Sequence, residues 1–205
     1  MDFQQDLITS IHDYGVFPDS LEQLRRGLSE KSTSLLIPCL YEEFHRPALK
    51  QIKEVLKELN GLQQLVIALS ADSVDEVNDA KIFFRNMPFS VHIQWTNGPA
   101  VKELLKSQEK NGLDLLVPPG KGWAVWQGLG VATKSSEVIG LFDADIKTFK
   151  PSYPARMLTP LLDTSYGISY VKAFYSRLSL DNYSLQGRAT RLFVGPLLTS
   201  LEKVL

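Results

Sequence analysis

The strongest constraint on how this chain folds is an alternation that begins near residue 34. Short apolar runs of strand length take turns with longer stretches whose apolar residues recur every three or four positions. Ser34-Leu35-Leu36-Ile37-Pro38 is the first run. Pro47 to Leu59 follows as a helix with the stripe Leu49, Ile52, Val55, Leu56 and Leu59, stopped by Asn60-Gly61. Strands are expected again at Leu65 to Leu69, Ser90 to Trp95, Leu115 to Val117 and Val138 to Phe142, with one more from Tyr166 to Val171. Helices are expected at Asp75 to Asn86, Ala100 to Lys110 and 123–133. A last one runs from about Thr190 to the final residue, with Val194, Leu197, Leu198, Leu201 and Val204 as its stripe. This spacing predicts an α/β fold with a mostly parallel, Rossmann-like sheet flanked by helices. Such sheets bind ligands beyond the carboxyl ends of their strands.

Residues 1–33 read as a helical segment before the sheet. Phe3, Leu7, Ile8 and Ile11 share one face, and Leu21, Leu24 and Leu28 share another after the Phe17-Pro18-Asp19-Ser20 break. Residues 34–205 read as the main domain. The C-terminal stripe runs to Leu205 with no polar tail, so the domain is expected to be C-terminally truncated, or its last helix to be completed by a partner chain; a homodimer is plausible on that pattern. The 205 residues are 44% hydrophobic and 22% charged with a net charge of -1, which argues against nucleic acid and anionic membrane as partners. The single Cys39 can form neither an intramolecular disulfide nor a Cys-rich zinc site, so a reducing, cytoplasmic setting is the default. No apolar run approaches the roughly 18 residues of a membrane span, and the acidic, polar start is no signal peptide.

The chemistry-bearing residues fall at the predicted strand ends. Asp143 and Asp145 follow the run Val138 to Phe142, and two carboxylates one residue apart there can hold a hard divalent cation, which can hold a diphosphate. A helix cap or a solvated turn is the alternative for the motif by itself. Asp145 is the better direct ligand, with Asp143 reaching the ribose or a metal-bound water. Gly120-Lys121-Gly122 opens a helix, where glycines admit a ligand to the backbone, the lysine supplies a point charge and the helix N-terminus favours anions. The spacing is not that of a Walker A loop; a plain turn is the competing reading.

Pro38-Cys39-Leu40-Tyr41-Glu42-Glu43 ends the first strand, and its acids can receive base or ribose donors or serve as a helix-entry charge pair. Cys39 reads as a packed residue rather than a nucleophile. His12, His45 and His92 show no metal-ligand spacing, and Trp95, Trp123 and Trp126 read as core or wall residues. Gly187-Arg188-Ala189-Thr190-Arg191 can clamp an acidic acceptor, with Lys172 and Arg177 near in sequence, though spacing alone favours a capped surface helix with solvated arginines.

In this order, Ile37 to Glu43, Gly120-Lys121-Gly122 with Val125-Trp126, Asp143-Ala144-Asp145, and Gly187 to Thr190 leading to Gly195-Pro196-Leu197-Leu198 resemble the glucosyl-3-phosphoglycerate synthase family of retaining glycosyltransferases. The resemblance spans residues 34–205 and implies a GT-A nucleotide-sugar fold. It implies that Pro38, Cys39, Leu40, Tyr41 and Glu42 receive the uracil and ribose, that Ser70 contacts the nucleotide and that Lys121 meets the diphosphate. Asp145 would hold Mg²⁺ or Mn²⁺, with Asp143 and Ala144 beside it on the nucleotide sugar, and Gly187, Arg188, Ala189 and Thr190 would take the phosphate of 3-phosphoglycerate. Transfer would proceed with retention, by same-face attack with the leaving phosphate as base.

Three departures stand out. Tyr41 replaces the usual Asn, Ser70-Ala71-Asp72-Ser73 follows the second-strand turn only loosely, and a further metal-binding His of the family lies C-terminal to the acceptor loop, a region this chain does not contain. Use of another sugar such as mannose, use of glycerate as acceptor, or a non-catalytic nucleotide-sugar-binding role are the alternatives. A nucleotidyltransferase is disfavoured because no glycine-rich, Arg-containing loop follows the first strand.

Overall fold

The computed structural model describes residues 19–109, 120–173, 177–178, 185–186 and 195–204. The chain divides into two compact units, residues 13–171 and residues 1–12 with 172–205. The first carries the sheet. Its strands β1 (Thr33–Leu40), β2 (Gln64–Ser70), β3 (Ser90–Trp95) and β4 (Val138–Leu141) are all parallel and lie in the order β3-β2-β1-β4. The expected α/β class and mostly parallel sheet are therefore present.

Both faces of β1 and β2 are apolar, which is what a parallel strand covered on two sides requires. Leu35, Ile37, Cys39, Leu65, Ile67 and Leu69 point into the larger core, while Leu36, Val66 and Ala68 point into a smaller one on the opposite face. Helices α1 (Ser20–Glu30), α2 (Pro47–Lys57), α3 (Val74–Phe83) and, later in the chain, α6 (Ser152–Leu162) pack on the first face. The chain next forms α4 (Pro99–Glu109), and α5 (Lys121–Ala132) covers the second face through Ala124 and Ala132. The side change has a cause. Strands β1 to β3 step one way across the sheet and β4 steps back to the other side of β1. A right-handed crossover then moves its helix to the opposite face. Gly128 lets α5 lie close, since a Cβ there would sit 2.3 Å from Leu36 Cδ1.

Local signals set the helix ends. Pro47 opens α2, and Gly61, at φ 91°, takes the left-handed turn that ends the same connection. Ser73 caps α3 by accepting the Glu76 amide, and the Glu76 carboxylate accepts the Asp72 amide at 2.7 Å. The expected helix to Asn86 ends at Phe83, because Phe84 turns into the core, where it is 2% exposed.

One expected strand is absent. From Tyr166 to Val171 the chain has a 3-10 turn (Thr164–Tyr166), a left-handed Gly167 and then irregular backbone. Tyr166 and Tyr170 stay exposed. Aromatic and β-branched propensity makes a strand only where a neighbouring strand can pair, and no described residue pairs with this segment. The expected helix over Phe3 to Ile11 and the strand Leu115 to Val117 lie outside the described residues.

In the second unit, β5 (Arg177–Leu178) pairs antiparallel with β6 (Leu185–Gln186). The last helix, α7, runs Gly195–Val204, with Leu197 and Leu201 exposed. No helix among the described residues is long and apolar enough to cross a membrane.

Candidate functional site

The reversal of strand order puts a topological switch point between β1 and β4, where open α/β sheets place their ligands. The register shows how it opens. Strand β4 pairs with β1 only as far as Leu141 with Leu36, closed by the Phe142 amide donating to the Leu36 carbonyl at 3.0 Å. Strand β1 continues through Leu40, paired there only with β2. Pro38 is tolerated in this central strand for the same reason. Its position is two beyond Leu36, so its missing N–H faces the side where β4 has already ended.

The aspartate turn is rooted by alternation. Phe142 and Ala144 are buried in the larger core, with Phe142 set edge-on to Phe149 at 5.4 Å. Asp143 is half-buried and Asp145 exposed. Asp145 makes no hydrogen bond or ion pair with the described residues. Opposite them, Lys121 is the first residue of α5, and its Nζ is ion-paired with Asp143 Oδ1. A side chain at Gly122 would meet nothing within 4 Å among the described residues, so their packing does not explain that glycine. Gly120 is simply extended, at φ 177°. The arrangement brings a cation, a helix N-terminus and two carboxylates to one sheet edge.

The end of β1 divides by burial. Pro38 and Cys39 are buried, as is Ala144. Leu40 is 57% exposed at the tip, and Glu42 is exposed. Burial, reinforced by Glu43 and Glu42, pushes the Cys39 thiol up to about 12, which removes it as a nucleophile. Glu43 is turned inward, bound to Arg46 at 2.6 Å, and its Oε2 has no partner among the described residues. Tyr41 donates its hydroxyl to Asp79 Oδ2 on α3 at 2.8 Å, a bond that raises the phenol above its ordinary range. His45 and His92 are exposed and His12 lies outside the described residues.

Ser70 ends β2, half-buried, and its hydroxyl bonds to no described residue. Pro38 to Glu42, Ser70, Lys121, Asp143 and Asp145 thus all lie at the carboxyl edge of one sheet. Gly187, Arg188, Ala189 and Thr190 lie outside the described residues. Among the described residues no three His, Cys, Asp or Glu side chains gather as a metal cage. The hard oxygens of Asp145 still suit Mg²⁺ or Mn²⁺, cations that commonly take one or two carboxylates and fill their other positions with phosphate oxygens and water. Sequence reading missed the contacts made by Asp79, Trp95, Asn97 and Gln127, all of which join segments distant in the chain. Asn97-Gly98 is a turn signal, but it marks a turn and names no partner.

No family model matches the chain. The glucosyl-3-phosphoglycerate synthase of Methanococcoides burtonii is 37% identical over 203 residues, covering 98% of this chain and 50% of that protein. That of Persephonella marina is 31% identical over 209 residues, covering 99% of this chain and 50% of its own length. The chain spans about half the length of the curated relatives it matches. A solved structure of the Mycobacterium tuberculosis glucosyl-3-phosphoglycerate synthase with Mn²⁺, UDP and glucosyl-3-phosphoglycerate superposes with a TM-score of 0.59 at 25% identity, covering 89% of this chain and 55% of that one. The same enzyme with phosphoglyceric acid gives a TM-score of 0.58 at 25% identity, covering 88% and 54%. The fold is of the GT-A type shared with these enzymes.

Proposed function

We propose that this chain, a relative of the glucosyl-3-phosphoglycerate synthases spanning about half their length, carries the nucleotide-sugar site of a metal-dependent retaining glycosyltransferase. Glucose passes from UDP-glucose or a similar donor to 3-phosphoglycerate, giving glucosyl-3-phosphoglycerate. The observation that carries this reading is the meeting of Lys121, at the start of α5, with the Asp143–Asp145 turn at the switch point. The Mycobacterium tuberculosis relative, solved with Mn²⁺, UDP-glucose and phosphoglyceric acid, supports the choice of donor, acceptor and cation class.

In this reading Pro38 to Glu42 and Ser70 receive the nucleoside, and Lys121 faces the diphosphate. Asp145 holds Mg²⁺ or Mn²⁺, which when bound neutralises charge on the leaving diphosphate as a Lewis acid. Asp143 keeps the Lys121 ammonium at the sheet edge, so that the positive charge is in place before negative charge develops on the leaving group. By the resemblance, Gly187 to Thr190 take the acceptor phosphate, and holding an acceptor by one end lowers the entropic part of the barrier. A domain spanning residues 34–205, a cytoplasmic setting and a homodimer belong to the same proposal. The free Cys39 supports the second, and exposed Leu197 and Leu201 on α7 support the third.

The test is product formation from UDP-glucose, Mn²⁺ and 3-phosphoglycerate, read by NMR of the anomeric proton and repeated with glycerate. The expected product is the α-linked glucoside of 3-phosphoglycerate. A second reading, binding of the nucleotide sugar without transfer, is favoured by the half-length match. It predicts UDP-glucose binding with no product. Absence of both binding and product would refute both readings.

A further inference from the structure

The last residues of β3 and the turn after it hold two elements of the site at once. Successive residues from Trp95 to Asn97 bond to the end of β2. The Thr96 amide and hydroxyl both donate to the Leu69 carbonyl, at 2.8 and 3.0 Å. The Ala71 amide donates to Asn97 Oδ1 at 3.1 Å, and Trp95 Nε1 donates to the Ala71 carbonyl at 2.9 Å. Leu69 and Ala71 are therefore gripped on both sides of Ser70, whose own hydroxyl bonds to no described residue. The same segment reaches α5, because Gln127 Nε2 donates to the Thr96 carbonyl at 2.9 Å. Gln94 completes the link by donating to Gln127 Oε1 at 3.1 Å.

Packing makes this arrangement specific. Thr96 and Ala71 are each 4% exposed, so the Thr96 bonds to Leu69 are shielded from water, and those of Ala71 to Trp95 and Asn97 are partly shielded. A Cβ at Gly98 would sit 2.6 Å from Trp95 Cδ2, so the indole keeps its place only beside a glycine. Lost hydrogen bonds at buried amides and carbonyls are costly, which disfavours any other path for the turn.

We propose that Trp95, Thr96 and Asn97 are positioning residues for nucleotide binding, fixing the Ser70 turn of β2 and the Lys121 helix relative to one another. The inference rests on the assignment of Ser70 and Lys121 to the nucleotide. None of the three needs to touch the ligand. The segment sets the spacing between the group that meets the nucleoside and the charge that meets the diphosphate.

The experiment is calorimetric titration of the chain with UDP in the presence of Mn²⁺. Asn97→Ala is expected to weaken binding about fivefold to tenfold, as one partly shielded hydrogen bond implies. Asn97→Asp keeps an acceptor for the Ala71 amide and is expected to recover most of the affinity, which a general loss of stability would not do. Trp95→Phe keeps a ring against Gly98 and removes only the donor; it is expected to weaken binding similarly and stands in if Asn97→Ala does not fold. In a Ser70→Ala background, Asn97→Ala is expected to cost less than about twofold more, because both changes act through one turn. Unchanged affinity in Asn97→Ala or Trp95→Phe, or full additivity with Ser70→Ala, would overturn the positioning role while leaving the nucleotide site intact. A wild-type chain that does not bind UDP with Mn²⁺ would overturn the functional reading itself, and this inference with it.

Discussion

Lys121 and Asp143, 22 residues apart in sequence, form an ion pair that joins the first residue of α5 to the turn after β4. A lysine at a helix N-terminus is misplaced with respect to the helix dipole, and the carboxylate beside it offsets that. The lysine side chain is 61% exposed, so the pair contributes no more than about 1 kcal/mol to stability. In the proposed reading, the pair keeps charge where a diphosphate would lie.

The first prediction separates these roles. Lys121→Ala is expected to lower the melting temperature by no more than about 4 °C, while UDP affinity measured by calorimetry falls at least about tenfold, as loss of a charge-assisted phosphate contact implies. A variant that loses stability and retains affinity would assign the pair to structure alone.

Asp145 offers the complementary case. It is exposed and bonds to no described residue, so Asp145→Ala should unfold at the wild-type temperature. Its binding of UDP should no longer respond to Mn²⁺. Persistence of a Mn²⁺ effect in this variant would move the metal site elsewhere.

Gly128→Val tests how α5 is seated. Even a Cβ at this position lies 2.3 Å from Leu36 Cδ1, and Leu36 is fully buried with little room to yield. The overpacking is expected to cost about 1–3 kcal/mol, a fall of about 2–12 °C in melting temperature by differential scanning fluorimetry. A variant as stable as wild type would show that α5 can lift from the sheet without penalty.

Cys39 gives a pH-dependent prediction. Burial raises its thiol from 9.0 to about 12. Below about 9 both the folded and the unfolded chain keep the proton; between about 9 and 12 only the unfolded chain releases it, so stability falls as pH rises through that window. Denaturant midpoints for wild type and Cys39→Ala should therefore diverge in slope above pH 9. Rapid labelling of native Cys39 by a disulfide reagent near neutral pH would contradict its burial.

The parallel sheet was legible because burial on two faces writes continuous apolar runs at Leu35 to Ile37 and Leu65 to Leu69, and amphipathic stripes between them. The aspartate turn was legible too, since Phe142 and Ala144 alternate inward while Asp143 and Asp145 do not. Tyr166 to Val171 misled for the opposite reason: its composition suits a strand, but pairing depends on a neighbour that composition does not reveal. The Lys121–Asp143 pair, the Tyr41–Asp79 bond and the grip of Trp95 and Asn97 on Ala71 were out of reach, because each joins residues that only the strand order brings together.

The most direct test of the nucleotide-sugar site is the melting temperature of the chain with UDP-glucose, measured with and without Mn²⁺, for wild type and Asp145→Ala. A ligand at 100 times its Kd stabilises by about 2.7 kcal/mol, so the account predicts a rise of at least about 5 °C for wild type that requires Mn²⁺ and is lost in Asp145→Ala. No shift at millimolar UDP-glucose, or an equal shift in both proteins, would contradict it.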